Sequence, residues 1–319
     1  MRIGIIGQPC IDEIFLPGVS KPKQSLGGVL YSYAAMERLM REAHHTEDSF
    51  VPLTWHSKLG EDILNPLLSQ FRHLDQSAGL WKTESLTNRV QLVYAEDGSR
   101  TEHCPNVLPR LTGFQLTSGL MSSLDGLFIN MISGFDVALD TLQAALDGET
   151  NRPYVHLDIH ALVLGPLSER SNANDTHGGG RKPRGVRKWK HWLNVADSVQ
   201  MNEMEVEWLG NPEVRTEEEL LRYIEGQRDR LRLKHVIITR AARGASVYDV
   251  KLGTVHHVAP PPMIPADTTG SGDVFGSAFI YSILAGMSPA EALREAVEWA
   301  TWSATLPTIN DILTSPFRS

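Results

Sequence analysis

Two periodicities alternate along the chain. Short apolar runs at 3–6 (IGII), 127–132 (LFINMI), 153–159 (PYVHLDI), 195–201 (VADSVQM) and 235–239 (HVIIT) have the length and continuity of buried strands. Between them, residues 29–40, 137–146, 203–209 and 216–230 carry apolar positions at helical spacing. Strands alternating with helices predict βαβ units, hence a mostly parallel sheet covered on both faces. Two stretches break the rhythm. Residues 10–25 and 88–104 read as extended, turn-bounded sequence; 89–95 (RVQLVYA) alternates, and Asp97-Gly98 is a hairpin signal. They predict a small antiparallel sheet attached to the α/β body.

The C-terminal third is the best punctuated. Ser288-Pro289-Ala290-Glu291 reads as a capping box with Pro at the first helical position, and a preceding helix runs from about Gly272 to Gly286. Residues 168–190 form one low-complexity segment. It holds Gly178, Gly179 and Gly180, and six Lys or Arg fall within 181–190. This predicts a mobile loop, either a solvated insertion or a loop that turns its cations towards an anionic ligand.

With 319 residues and 41% hydrophobic content, the chain has ample material for a core, and no internal repeat marks a second domain. A net charge of −8 argues against nucleic acid or an anionic membrane as partner. Cys10 and Cys104 are the two cysteines, too few for a disulfide framework or a multi-cysteine zinc site. The apolar stretch 274–287 falls short of the roughly 20 residues of a membrane span. No signal-peptide pattern opens the chain, so the expectation is a soluble cytoplasmic protein.

The chemistry concentrates in Ala266-Asp267-Thr268-Thr269-Gly270-Ser271-Gly272-Asp273. Gly270 and Gly272 allow a tight turn into an apolar helix, so the amides of 270–273 can converge on one point with the helix dipole behind them. That is an anion hole. Asp273 stands in its mouth, where a carboxylate makes sense as the base that deprotonates a nucleophile attacking a phosphoryl group. Read alone, Asp273 could equally be a first-turn residue stabilised by the dipole.

This segment, D-T-T-G-S-G-D, resembles the C-terminal signature of the ribokinase-like (PfkB) carbohydrate kinases. Further resemblances follow in order along the chain. Asp12 lies after the first strand. Gly27-Gly28 precede the first helix, and Ser32 stands where the family usually has Asn. Leu59-Gly60-Glu61-Asp62, Thr87 and the 97–100 turn come next, followed by Asn202-Glu203-Met204-Glu205 as N-x-x-E. Thr239 and Gly244 belong to a T-x-G-x-x-G-A-like segment in which Ala241 replaces the first Gly.

The resemblance implies a three-layer α/β fold, one kinase domain over 1–319 with a small β lid made by 10–25 and 88–104. It implies ATP-dependent phosphorylation of a hydroxyl on a sugar or sugar acid. Asp273 would be the base, with Gly270, Ser271 and Gly272 forming the anion hole. Asp12, Gly27, Gly28 and Ser32 would hold the substrate. Asn202, Glu205, Thr239 and Gly244 would serve ATP and Mg²⁺, and Asp267 and Thr269 a monovalent cation such as K⁺. The adenine would lie near 260–264 and 299–303, and a homodimer through the lid is a further implication.

Other readings stay open. His156, Asp158 and His160 fall on one face of a strand by period 2, as a metal site, cleft lining or strand-end packing. A nucleoside kinase, or a catalytically silent sensor on the same fold, would share most of the motifs. A dinucleotide-binding dehydrogenase lacks its G-x-G-x-x-G, and no P-loop pattern occurs.

Overall fold

A computed structural model describes residues 1–44, 53–71, 74, 79–97, 100–147, 151–164 and 181–317. The turn residues Gly98 and Ser99 and the glycines 178, 179 and 180 lie outside the described residues. Among the described residues, a nine-stranded sheet runs in the order β13 (Thr254–Val258), β12 (Ala245–Asp249), β11 (His235–Thr239), β10 (Ser198–Asn202), β9 (Tyr154–Asp158), β8 (Gly126–Ile129), β1 (Ile3–Ile6), β4 (Leu53–Leu59), β5 (Leu80–Lys82). All neighbours are parallel except the β11–β12 and β12–β13 pairs. The apolar runs become the central strands because successive residues feed opposite faces. Leu127 and Ile129 belong to one core with Val236 and Ile238, whereas Phe128 and Ile237 belong to the other.

Helices cover each face. One layer holds α1 (Val29–His44), α2 (Leu64–Gln70), α9 (Ser271–Leu284), α10 (Pro289–Ser303) and α11 (Ile309–Thr314). The other holds α3 (Ser118–Met121), α4 (Leu139–Leu146), α5 (His160–Val163), α6 (Trp189–Val195), α7 (Glu203–Leu209) and α8 (Glu217–Gln227). The predicted capping box at Ser288 and Glu291 is present with Pro289 in the first turn. α4 starts two residues later than its spacing suggests, because Val137 is held in a bridge to Leu111.

The second sheet has the order β3 (Lys23–Gly28), β2 (Pro9–Phe15), β6 (Asn88–Tyr94), β7 (Arg100–Asn106). Both irregular stretches therefore meet in one small sheet. It is mixed rather than antiparallel: β2 and β6, far apart in sequence, pair in parallel. The expected mobile loop over 168–190 is corrected for its second half. Pro183 bridges Leu164, Arg181 and Trp189 are buried, and α6 begins at Trp189. Two apolar faces, Trp189 and Trp192, anchor this part to the core, a signal outweighed in the sequence by its Lys and Arg. No helix among the described residues is long and apolar enough to cross a membrane.

Candidate active site

The carboxyl ends of the parallel strands converge on a cleft of about 350 Å³. Such ends are where open α/β sheets place ligands, since the loops that follow diverge there. Asn130 follows β8, Asp158 closes β9, Asn202 closes β10 and Thr239 closes β11; all four line the cleft. The small sheet forms another wall through Asp12, Val90, Leu92, Tyr94 and Glu102.

The segment expected to form an anion hole makes the turn into α9. Gly270 has φ +75°, and a Cβ there would lie 2.2 Å from the Tyr31 ring, so glycine is required twice over. Gly272 and Asp273 head the helix, where amides lack carbonyls four residues back. The Ser271 hydroxyl is buried without a hydrogen-bond partner among the described residues, and Ser271, unlike Gly270 and Gly272, does not line the cleft. Asp273 lines the cleft and accepts a hydrogen bond from Asn130 Nδ2. Burial pushes its carboxyl up to about 6, against the opposing pull of Asn130 and of His160.

Asp12 lies across the cleft. Its carboxylate packs on Gly27, where a Cβ would come within 2.0 Å of Oδ2, and Cys10 Sγ donates to its Oδ1 at 3.1 Å. Gly28, at φ +67°, turns the chain into α1. Ser32 differs from expectation: it is fully buried, outside the cleft wall, and its Oγ accepts from Asn130 Nδ2 at 2.7 Å. The short serine leaves the cleft-facing position to Asn130, a residue the sequence reading passed over. Its signal was a lone polar residue at the end of an apolar strand.

Asn202 and Glu205 form a closed unit. The Asn202 side chain accepts from the Glu205 amide at 2.9 Å, while Glu205 Oε2 takes the Asn202 amide at 2.8 Å and Oε1 takes Asn202 Nδ2 at 2.7 Å. His160 Nδ1 lies 2.7 Å from the same Oε1. Partial burial works against charge on His160, but its hydrogen bond to Glu205 and the nearby carboxylates of Glu205, Glu102 and Asp158 raise it to about 9. A metal would have to displace that proton before the imidazole could bind it. The expected common face of three residues also fails, because β9 ends at Asp158 and His160 opens α5. His156 is fully buried between Phe128 and Phe279, with burial lowering it to about 3. No cluster of three or more metal-ligating side chains occurs among the described residues. Burial, then Glu205 and Asp273, push Asp158 upwards. Gln200, also missed in the sequence, donates to Asp158 Oδ2 at 3.2 Å and to the Gly272 carbonyl at 2.9 Å, tying the strand ends to α9.

Thr239 and Gly244 separate. Thr239 lines the cleft, whereas Gly244 sits outside it at φ +89°, where a Cβ would meet the Val258 carbonyl at 2.0 Å. Asp267 accepts from the Thr269 amide at 2.8 Å, and both residues, with Tyr31 and Ser303, also border a void of about 10 Å³. The Gly60–Asp62 and Thr87 motifs meet: Thr87 donates its amide and hydroxyl to Asp62 Oδ1 at 2.9 and 2.7 Å. A Cβ on Gly60 would lie 2.2 Å from the Thr87 amide nitrogen.

The basic segment does not face this cleft as a cluster. Arg181 spends its guanidinium on Glu102 at 2.9 Å and on the carbonyls of Ile132 and Ser133. Arg184, Arg187 and Lys188 line a different pocket. The cleft wall carries Asp12, Glu102, Asp158, Glu205, Asp267 and Asp273, and among the described residues His160 is its one basic side chain.

Residues 172–313 match the model of the pfkB family carbohydrate kinases. The chain matches no curated protein sequence. Among solved structures it is similar to a pyrophosphate-dependent kinase in the ribokinase family, with 17% identity, TM-score 0.74, and 99% and 97% of the two chains covered. It is similar to ribokinase from Thermotoga maritima (16% identity, TM-score 0.69, 100% and 97% covered). It also resembles an Arabidopsis thaliana ribokinase complexed with ribose and ATP (16% identity, TM-score 0.67, 98% and 97% covered).

Proposed function

From a chain of ribokinase-like fold and PfkB carbohydrate-kinase type, we propose a kinase that transfers a phosphoryl group to a hydroxyl of a neutral sugar or polyol. One observation carries the reading. Asp273, lifted by burial, stands at the head of α9 beside the left-handed Gly270, facing a cleft whose far wall is Asp12. An acceptor hydroxyl held by Asp12 and Asn130 would give its proton to Asp273 as it attacks. The amides of Gly272 and Asp273 would take the charge gathering on the transferring group.

A neutral acceptor is favoured over a sugar acid because, among the described residues, the cleft wall sets Asp12, Glu102, Glu205 and Asp267 against the single imidazole of His160. A carboxylate on the acceptor would meet like charge there. The small sheet would act as a lid that keeps water from the donor. Donor phosphates carry Mg²⁺, and Asp158, Asn202 and Glu205 would meet that ion through water, since hydrogen bonds already engage both Glu205 oxygens. The ion's chemistry would be charge neutralisation on the phosphates. A monovalent cation would fit beside Asp267 and Thr269, where the small void is about one water in size.

ATP is the first donor to consider. A second reading, pyrophosphate, has its own observation: on the β11 side the cleft wall stops at Thr239, and neither β12, β13, 260–264 nor 299–303 contributes to it. Phosphoryl transfer to ribose, fructose and myo-inositol, measured with ATP and with pyrophosphate in parallel, tests both the activity and the donor. No transfer from either donor to any polyol would overturn the proposal.

A further inference from the structure

A second pocket of about 380 Å³ opens beside the cleft and shares no lining residue with it. Its floor is apolar: Phe135, Val137, Leu139, Leu162 and Trp192. Its rim is cationic, with Arg110, Arg184, Arg187 and Lys188, and no carboxylate lines it among the described residues. In a chain of net charge −8 this is a concentrated reversal of sign.

The cations are largely uncommitted. Arg110 lies 5.2 Å over the Phe135 ring, and Lys188 pairs with the exposed Asp140 at 3.1 Å. Neither Arg184 nor Arg187 has a side-chain ion pair among the described residues. Lys188 is one of two non-glycine residues with positive φ among the described residues, at +60°, where the chain enters α6. Such backbone is kept only where its surroundings impose it. The carboxylate of Asp136, behind the pocket, is fully buried and taken up by the amides of Gln8, Ile132 and Ser133 and by the Ser133 hydroxyl.

We propose that this pocket binds a small anionic molecule, a phosphate monoester or a carboxylate with an apolar part. The anion would sit among Arg184, Arg187 and Lys188, with the apolar part against Phe135, Leu162 and Trp192. The volume is that of a small-molecule site, and guanidinium groups suit phosphate and carboxylate oxygens. The site abuts the cleft through one segment. Ser133 and Gly134 line the pocket, Asn130 and Ile132 line the cleft, and Arg181 braces the carbonyls of Ile132 and Ser133 between them.

Phenyl phosphate serves as the probe, with binding followed by calorimetry and by fluorescence of Trp192. Wild-type protein should bind it, with affinity falling as NaCl rises, and should not bind neutral benzyl alcohol comparably. The double variant Arg184→Ser, Arg187→Ser should lose tenfold or more in affinity, whereas Arg187→Lys should keep most of it. Circular dichroism checks the fold; should the double variant not fold, Arg187→Ser alone should still weaken binding at least threefold. No binding to wild type, or equal binding to the serine variants, would overturn the proposal; the latter would place the phosphate in the cleft.

Discussion

Asn130 and Asp273 lie 143 residues apart in sequence, yet the Asn130 side-chain amide donates to the Asp273 carboxylate at the cleft floor. The same amide nitrogen reaches Ser32 Oγ at 2.7 Å, and Ser277 Oγ donates to the Ser32 carbonyl at 3.0 Å. Three elements thereby hold one carboxylate in place: the end of β8, the first turns of α1 and the first turns of α9. Such positioning decides whether a base can reach a hydroxyl.

Replacing Asp273 by Asn should lower kcat by about 10²–10⁴-fold, the span of a general base. The same change should stabilise the fold in neutral solution. Burial raises this carboxyl to about 6, so the folded state holds its proton more tightly than the unfolded chain does. Stability at this site is therefore full in acid and lost as pH rises through about 6. The Asn variant escapes that loss and should gain on the order of 1–3 kcal/mol above this pH, an amount discounted for the partial exposure of Asp273. Thermal melts at pH 5 and pH 8 check the sign; a gain at pH 5 alone would contradict it.

The wild-type rate should climb with pH through about 6 as Asp273 ionises. Asn130→Leu removes a hydrogen bond that favours the ionised form, so the midpoint of the kcat profile should move to higher pH. A purely structural role for Asn130 would lower the whole profile and leave its midpoint in place.

Ala241 occupies the left-handed region at φ +47°. That backbone costs a non-glycine residue about 1–2 kcal/mol, while glycine adds unfolded-state freedom of about 0.4–1 kcal/mol. Ala241→Gly should thus stabilise by roughly 0.5–1 kcal/mol, seen as a higher urea midpoint. Gly244→Ala should do the opposite and by more, because its Cβ would meet the Val258 carbonyl.

Arg181 pairs with Glu102 with only 1% of its side chain exposed. Removing one partner of a buried pair strands the other, so Arg181→Met should cost about 3 kcal/mol or more. Arg181→Met combined with Glu102→Leu should recover part of that loss. Denaturation of the two variants decides the matter: equal losses would show that no charge is stranded.

Much of this architecture was legible in the chain itself. Alternating apolar runs and helical spacings determine a parallel sheet with two helical layers, because period and burial are local properties of adjacent residues. The D-T-T-G-S-G-D segment and Asn202 with Glu205 were legible for the same reason: each is a turn or cap made by residues that touch within a few positions. What the tertiary structure alone decided are contacts between distant segments. The parallel β2–β6 pairing, the Asn130–Asp273 bond, the Glu205–His160 pair and the burial of Arg181 each join residues dozens of positions apart. The direction taken by the basic segment belongs here too. Lys and Arg announce charge in the sequence, but the burial of Trp189 and Trp192 turns Arg184, Arg187 and Lys188 towards their own pocket and away from the cleft.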